Sequence, residues 1–169
     1  GGGFPVGALA GRKDIMDVMN PLTDKLLFPH SGTFSANPIT MTAGLVSMAI
    51  FDAPAVAYVN QLADSARRQI QEAIRIANIP ACVTGSGSMF RVHLKPDAPV
   101  NYRTAFVNPD EARRLSGLLD HLLDNGIMMI NTCTGTISTA MTETEITHLV
   151  DAMLSGFRKI NAFKNSKLS

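Results

Sequence analysis

The segment His30-Ser31-Gly32-Thr33-Phe34-Ser35-Ala36-Asn37-Pro38 combines small side chains, hydroxyls and a helix start. A loop of this kind can hold an anion. Free backbone N–H groups and the positive end of a helix favour negative charge, and Ser31 and Thr33 can donate further hydrogen bonds. Phosphate is the natural guest. The same residues also allow a plainer reading, in which Ser and Thr cap the helix and bind nothing. The GxxxxGK[ST] pattern of nucleoside-triphosphate loops is absent.

Two other glycine-rich stretches invite the same question. Gly1-Gly2-Gly3, with Pro5 and Gly7, is either a set of flexible tight turns or a backbone that approaches something closely, since glycine has no Cβ to block it. Thr84-Gly85-Ser86-Gly87-Ser88 precedes a strand pattern rather than a helix, and is expected to turn the chain into that strand. It does not match the GxSxG nucleophile elbow. His30, His93, His121 and His148 lie far apart and form no HxxxH or HExxH pair, so no metal site is expected. Cys82 and Cys133 make no CxxC, and two free thiols in a reducing cytoplasm are expected rather than a disulfide. Glu143 and Glu145 sit at a helix start, where carboxylates serve the dipole rather than catalysis.

These segments need elements to position them. Phe4–Ala10 is short, apolar and bounded by glycine, which predicts a buried strand. A short helix is expected over Arg12–Met19, ended by Asn20-Pro21. Asn37-Pro38 is an N-cap followed by a first-turn proline, starting a helix to about Phe51. Asp52 and Pro54 repeat that signal. From Ala55 to Asn78 the stripe Val59, Leu62, Ala63, Ala66, Ile70, Ala73, Ile74 and Ala77 has helical spacing, with Asp64, Arg67, Arg68 and Glu72 off it. In Met89–Lys95, Phe90, Val92 and Leu94 alternate with Arg91, His93 and Lys95, the pattern of a half-buried strand. Asn108-Pro109-Asp110-Glu111 is a capping-box start, Leu115, Leu118, Leu119 and Leu122 form the apolar face behind it, and Asn125-Gly126 ends the helix. Ile127–Ile130 and Thr136–Ala140 are expected strands. Thr142 with Glu145 opens a last helix burying Ile146, Leu149, Val150, Met153, Leu154 and Phe157, and the tail Lys164–Ser169 is expected to fray.

The composition is that of a globular chain, 46 % hydrophobic and 17 % charged over 169 residues. A net charge of +1 gives no electrostatic case for nucleic acid or an anionic membrane surface. No apolar run reaches the roughly 18 residues of a membrane span, and the start GGGFPVGALAG lacks the basic and apolar regions of a signal peptide. The first residue is Gly rather than Met, as expected of a processed chain or a fragment.

The order of these features resembles the class III aminotransferases. In that family a cofactor lysine is followed by a run like GGGxPVGA, then G-R-x-x-I-M, then G-T-[FY]-x-x-N-P opening a helix. Here these stand as Gly1–Ala8, Gly11–Met16 and Gly32–Pro38. The similarity continues through Met41–Leu45, the long helix, Gly87–Phe90, Asn125–Ile127 and Thr142–Ile146. Within the family, the Gly-Ser-Met-Phe and Thr-Glu-Thr-Glu-Ile stretches are most similar to the glutamate-1-semialdehyde aminomutase branch and its near relatives, the β-amino-acid aminotransferases.

The resemblance implies an α/β to α+β fold. Residues 1–53 would end a fold-type I large lobe, 54–79 would be a bridging helix, and 80–169 would form a small α+β C-terminal lobe. It implies pyridoxal 5'-phosphate (PLP) as cofactor, a homodimer, a cytoplasmic enzyme, and a small amino-acid or amino-aldehyde substrate, with no nucleic acid or membrane partner. The cofactor phosphate would be bound by Thr33, with Gly32 and Ser31 beside it, across the subunit boundary. The family's lysine would precede Gly1, so no catalytic residue is expected in this chain and it should be inactive alone. Many relatives carry a carboxylate-binding Arg about where Thr132-Cys133-Thr134 stand here, and the aminomutase branch lacks it. Ala36 replaces the family's usual Gly. The rival expectation is a non-catalytic fragment or phosphate-binding interaction module.

Overall fold

In the computed structural model, residues 1–165 are described, with side chains through 161. The chain divides into two compact units, Gly1–Asp52 and Ala53–Ser169.

The first unit is mostly helix and turn. Helix α1 (Lys13–Met16) runs into a 3-10 turn (Asp17–Met19), matching the short helix expected before Asn20. Helix α2 (Pro38–Ile50) starts where the sequence places it. The Asn37 side chain accepts from the Ile39 and Thr40 N–H groups, and Pro38 supplies the preset first turn. Gly2 sits at φ +61°, and a Cβ there would lie 2.7 Å from both the Ala43 carbonyl oxygen and Ser47 Oγ. The close approach that this glycine permits is therefore to helix α2.

The expected strand at Phe4–Ala10 does not form. That segment has no partner strand among the described residues, and Leu9 is 71 % exposed. A strand is completed by its neighbour's hydrogen bonds, so apolar content alone does not make one. Thr40 is the only buried residue of this unit.

The second unit carries the core. Helix α3 (Ala53–Ala77) buries all eight residues of the predicted stripe. Strands β1 (Cys82–Thr84) and β2 (Met89–His93) form an antiparallel hairpin around the 84–88 turn, with Val83 opposite Val92. Arg67 of α3 donates to the Gly87 and Met89 carbonyls at 2.9 and 2.6 Å, which ties the turn to the helix. Strand β3 (Thr134–Thr136) completes the three-stranded sheet, pairing Phe90 with Gly135 and Arg91 with Thr134.

Between β2 and β3 lie a short helix α4 (Tyr102–Ala105) and helix α5 (Pro109–Asp124). The α5 capping box is complete. Asn108 accepts from the N–H groups of Asp110 and Glu111, and Glu111 accepts from the Asn108 N–H at 3.0 Å. Gly126 ends the helix at φ +77°. Helix α6 (Glu143–Asn165) opens with Glu145 accepting from the Thr142 N–H and hydroxyl, both at 2.7 Å. The core joins Ile70 and Ile74 of α3, Phe90 and Val92 of β2, Leu118 and Leu122 of α5, and Met153, Phe157 and Ile160 of α6. Each such side chain contributes about 1.5–3 kcal/mol of burial.

Three further expectations change here. Ile127–Ile130 is not a strand, because its backbone is taken by turns: the Ile127 N–H donates to the Leu122 carbonyl and the Cys133 N–H to the Ile130 carbonyl, both at 2.9 Å. The expected strand at Thr136–Ala140 shifts back to Thr134–Thr136, where β2 supplies the partners. Helix α6 continues through Lys164 and Asn165, and residues 166–169 of the expected frayed tail lie outside the described residues. Among the described residues no single helix is long and apolar enough to cross a membrane.

Candidate functional site

The loop before α2 is built from two overlapping turns. The Ser35 N–H donates to the Gly32 carbonyl at 3.0 Å, and the Asn37 N–H donates to the Phe34 carbonyl at 3.2 Å. Ala36 adopts φ +53° to join the second turn to the helix. Ser31, Gly32 and Thr33 stand together on the exposed rim. Their backbone N–H groups and the Ser31 and Thr33 hydroxyls make no hydrogen bond to described residues.

This geometry corrects half of the sequence argument. The first-turn N–H groups of α2 are not free for an anion, because Asn37 Oδ1 already accepts from Ile39 N–H at 3.0 Å and Thr40 N–H at 3.2 Å. The plainer reading, that Thr33 caps the helix, fails for the same reason. What remains is a rim of open, neutral donors at Ser31–Thr33, able to hydrogen-bond an anion but carrying no charge of its own.

The second unit holds the other concave surfaces. A cavity of about 790 Å³ opens between the 127–130 segment, β3 and the start of α6, its lining including Phe90, Met129, Ile137, Met141, Glu145 and His148. A smaller cleft of about 350 Å³ lies between β2, the 131–132 segment and α5, with Arg91, Asn131 and Thr132 in its wall.

The polar side of β2 is more enclosed than its alternation implies. His93 is buried and its Nε2 lies 2.9 Å from Thr84 Oγ1. Its burial, followed by the positive charges of Arg91 and Lys95, lowers its pKa. Lys95 Nζ bonds both Glu111 oxygens, at 2.9 and 2.8 Å. Burial pushes the Glu111 carboxyl up, but Lys95, the Asn108 N–H and Arg114 more than offset it, leaving its pKa lowered. Arg91 has no such partner. Its Nε is buried without a hydrogen bond, and it forms no ion pair with a described residue.

Thr132 and Thr134 bond each other through their hydroxyls at 2.9 Å, on either side of a buried Cys133 at φ +54°. Burial pushes the Cys133 thiol up to about 12 against the opposing pull of Arg91. Burial and then Asp97 raise Cys82 as well. Neither thiol is in a disulfide, and burial favours the protonated form of both. No metal-ligating cluster occurs among the described residues. Arg91 is the residue that sequence reasoning passed over. Alternation marks it only as a polar-face residue, and its lack of a partner is a tertiary fact.

Comparison with known proteins gives a consistent picture. A family model described as Aminotransferase class-III matches residues 1–160. The chain is 31 % identical over 165 residues to a glutamate-1-semialdehyde 2,1-aminomutase of Laribacter hongkongensis, covering 95 % of this chain and 37 % of that protein. Among solved structures, an omega-transaminase from Sphaerobacter thermophilus superposes with TM-score 0.88 at 34 % identity, covering 95 % of this chain and 37 % of the other. A transaminase with PLP bound superposes at TM-score 0.76 and 33 % identity, covering 90 % and 34 %. The chain thus spans between about a quarter and a little more than a third of the relatives it matches.

Proposed function

Since the chain belongs to the class III aminotransferase family, we propose that it is the C-terminal part of a PLP-dependent enzyme that moves amino groups on a small amino acid or amino aldehyde. The enzyme would be an aminomutase of the glutamate-1-semialdehyde kind or a related transaminase. The observation that carries this reading is the collinear match over residues 1–160, from the triple glycine to the last helix. The relatives include both an aminomutase and transaminases, one of them with PLP bound.

Pyridoxal phosphate, when bound, supplies the electron sink that amino transfer needs. The Ser31–Thr33 rim fits its phosphate end. Open N–H and hydroxyl donors suit phosphate oxygens, and no carboxylate forms part of the rim. In the proposed homodimer Thr33 donates its hydroxyl and N–H to the phosphate of the cofactor held mainly by the other subunit, with Gly32 and Ser31 beside it. Because the rim is neutral, the positive charge that completes the phosphate site comes from elsewhere in the assembly. The lysine that holds the cofactor in this family also lies outside this sequence, so amino transfer is a property of the longer protein. Two buried free thiols accord with a cytoplasmic enzyme.

Thr33→Val in the complete enzyme tests the assignment. It keeps the side-chain shape and removes the donor. A hydrogen bond to a charged phosphate is worth roughly 1.5–3 kcal/mol, so PLP affinity should fall by about one to two orders of magnitude. The melting temperature of the apoenzyme should not move, because Asn37 and not Thr33 caps α2. Unchanged PLP dissociation would end the phosphate role. A complete protein that neither binds PLP nor transfers an amino group would end the enzymatic reading and leave a non-catalytic module.

A further inference from the structure

We infer that the open edge of β3 and the apolar cavity beside it receive an extended segment of the longer protein from ahead of Gly1, paired with β3 as a fourth strand. The inference rests on the reading of this chain as the C-terminal part of that protein, and not on the cofactor. The sheet order is β1-β2-β3, so β1 and β3 are its outer strands among the described residues. Their edges differ. At β1 the Val83 N–H donates to Gln71 Oε1 of α3 at 3.4 Å, so a side chain of the fold covers that edge. At β3 no described residue does the same. The Val92 N–H donates to the Cys133 carbonyl at 3.1 Å and the Ile137 N–H to the Ser88 carbonyl at 2.9 Å. In an antiparallel ladder alternate residues face the partner, so residues 133, 135 and 137 face β2, and Thr134 and Thr136 present their N–H and C=O groups to the open side. The strand Thr134-Gly135-Thr136 carries neither charge nor proline, the usual guards of an exposed edge.

The cavity continues the core past that edge. A Cβ on Gly135 would strike the Phe90 ring, and both residues line the cavity. Phe90, Ile137, Ile146 and Leu149 belong to the core and line it too, while Met128 and Ile130, also in its lining, are 87 % and 60 % exposed. At about 790 Å³ it is several times the roughly 150 Å³ of an engineered core cavity, so it is a groove for several side chains and not a packing flaw. A strand added about 4.8 Å from β3 alternates its side chains, and every second one would enter the cavity. The occupant is therefore extended, with apolar residues at alternate positions, and its main chain bonds Thr134 and Thr136. The relatives point to its source. This chain covers 37 % of the Laribacter aminomutase and 37 % of the Sphaerobacter transaminase, so well over half of such a protein lies outside this sequence.

The test compares the 169-residue chain with the complete protein by amide hydrogen exchange. The Thr134 and Thr136 N–H groups should exchange on the order of a hundredfold more slowly in the complete protein. Thr136→Pro removes an outward donor without touching the β2 ladder. It should lower the melting temperature of the complete protein and leave that of the 169-residue chain unmoved. Benzoylphenylalanine placed at Met128 of the complete protein should cross-link on irradiation to a peptide ahead of Gly1 in the same polypeptide. Should Thr136→Pro fail to fold, exchange and cross-linking still decide. Equal exchange of the two amides in both proteins, or a cross-link confined to residues 1–169, to another protein or to nothing, would each overturn the inference. A complete protein that binds PLP but leaves both amides fast would sink the strand alone. Slow amides in a protein without PLP would sink the enzyme alone.

Discussion

Ala36 holds its backbone at φ +53°, a region that costs a residue with a Cβ roughly 1–2 kcal/mol. Glycine there would relieve that strain but enlarge the unfolded ensemble, which costs about 0.4–1 kcal/mol. The balance favours glycine slightly. Ala36→Gly should therefore raise stability by up to ~1 kcal/mol, read as a small rise in melting temperature. A loss of stability would mean that the turn at Phe34–Asn37 does not hold its left-handed residue in solution. The same turn explains why Asn37 can cap α2. The chain must reverse before the helix, and the reversal aims Oδ1 at the Ile39 and Thr40 N–H groups. At this scale the Asn37-Pro38 signal was fully legible in sequence. The donors left over at Ser31–Thr33 were legible only as residue types.

Strand β2 shows what an element gains from its neighbours. Alternation separates Phe90, Val92 and Leu94 from Arg91, His93 and Lys95, and the first set is buried as expected. The second face is not simply wet, because Glu111 at the start of α5 pairs with Lys95, and His93 is buried beside Thr84. This has a consequence for pH. His93 has a folded-state pKa below its ordinary 6.5, so the unfolded chain binds the proton more tightly. The stabilisation is complete above about pH 6.5 and is lost as pH falls through the lowered folded value. His93→Gln should flatten the acid side of the stability–pH curve relative to the unaltered chain. Equal slopes in the two proteins between pH 5 and about 6.5 would refute a depressed His93.

For the whole molecule, the two units differ in how much they bury. The Ala53–Ser169 unit has a continuous core across three helices and a sheet. The Gly1–Asp52 unit exposes Phe4, Leu9, Leu22, Phe28, Leu45 and Met48 and buries only Thr40 among its described residues. Apolar surface of that extent marks contact with another chain or an aggregation liability. The isolated 169-residue chain should therefore sediment as a dimer or larger at micromolar concentration. Removing residues 1–52 should shift it toward monomer while keeping the far-UV signal of the second unit. A clean monomer of the full chain would contradict this.

Periodicity and caps determined the local elements of this protein by themselves. The eight-residue stripe of α3, the Asn108–Glu111 capping box and the stop at Gly126 each depend on contacts within a few residues. The ordered motifs from Gly1 to Ile146 likewise placed the chain in its family without coordinates. Strand identity was different. Phe4–Ala10 and Ile127–Ile130 are apolar enough for strands, yet one lacks a partner and the other spends its hydrogen bonds on turns, while Thr134-Gly135-Thr136 becomes a strand because β2 lies beside it. The Arg91 cleft belongs with these non-local facts. Whether a charge is paired depends on which groups the fold brings within about 4 Å, and sequence spacing carries no such distance.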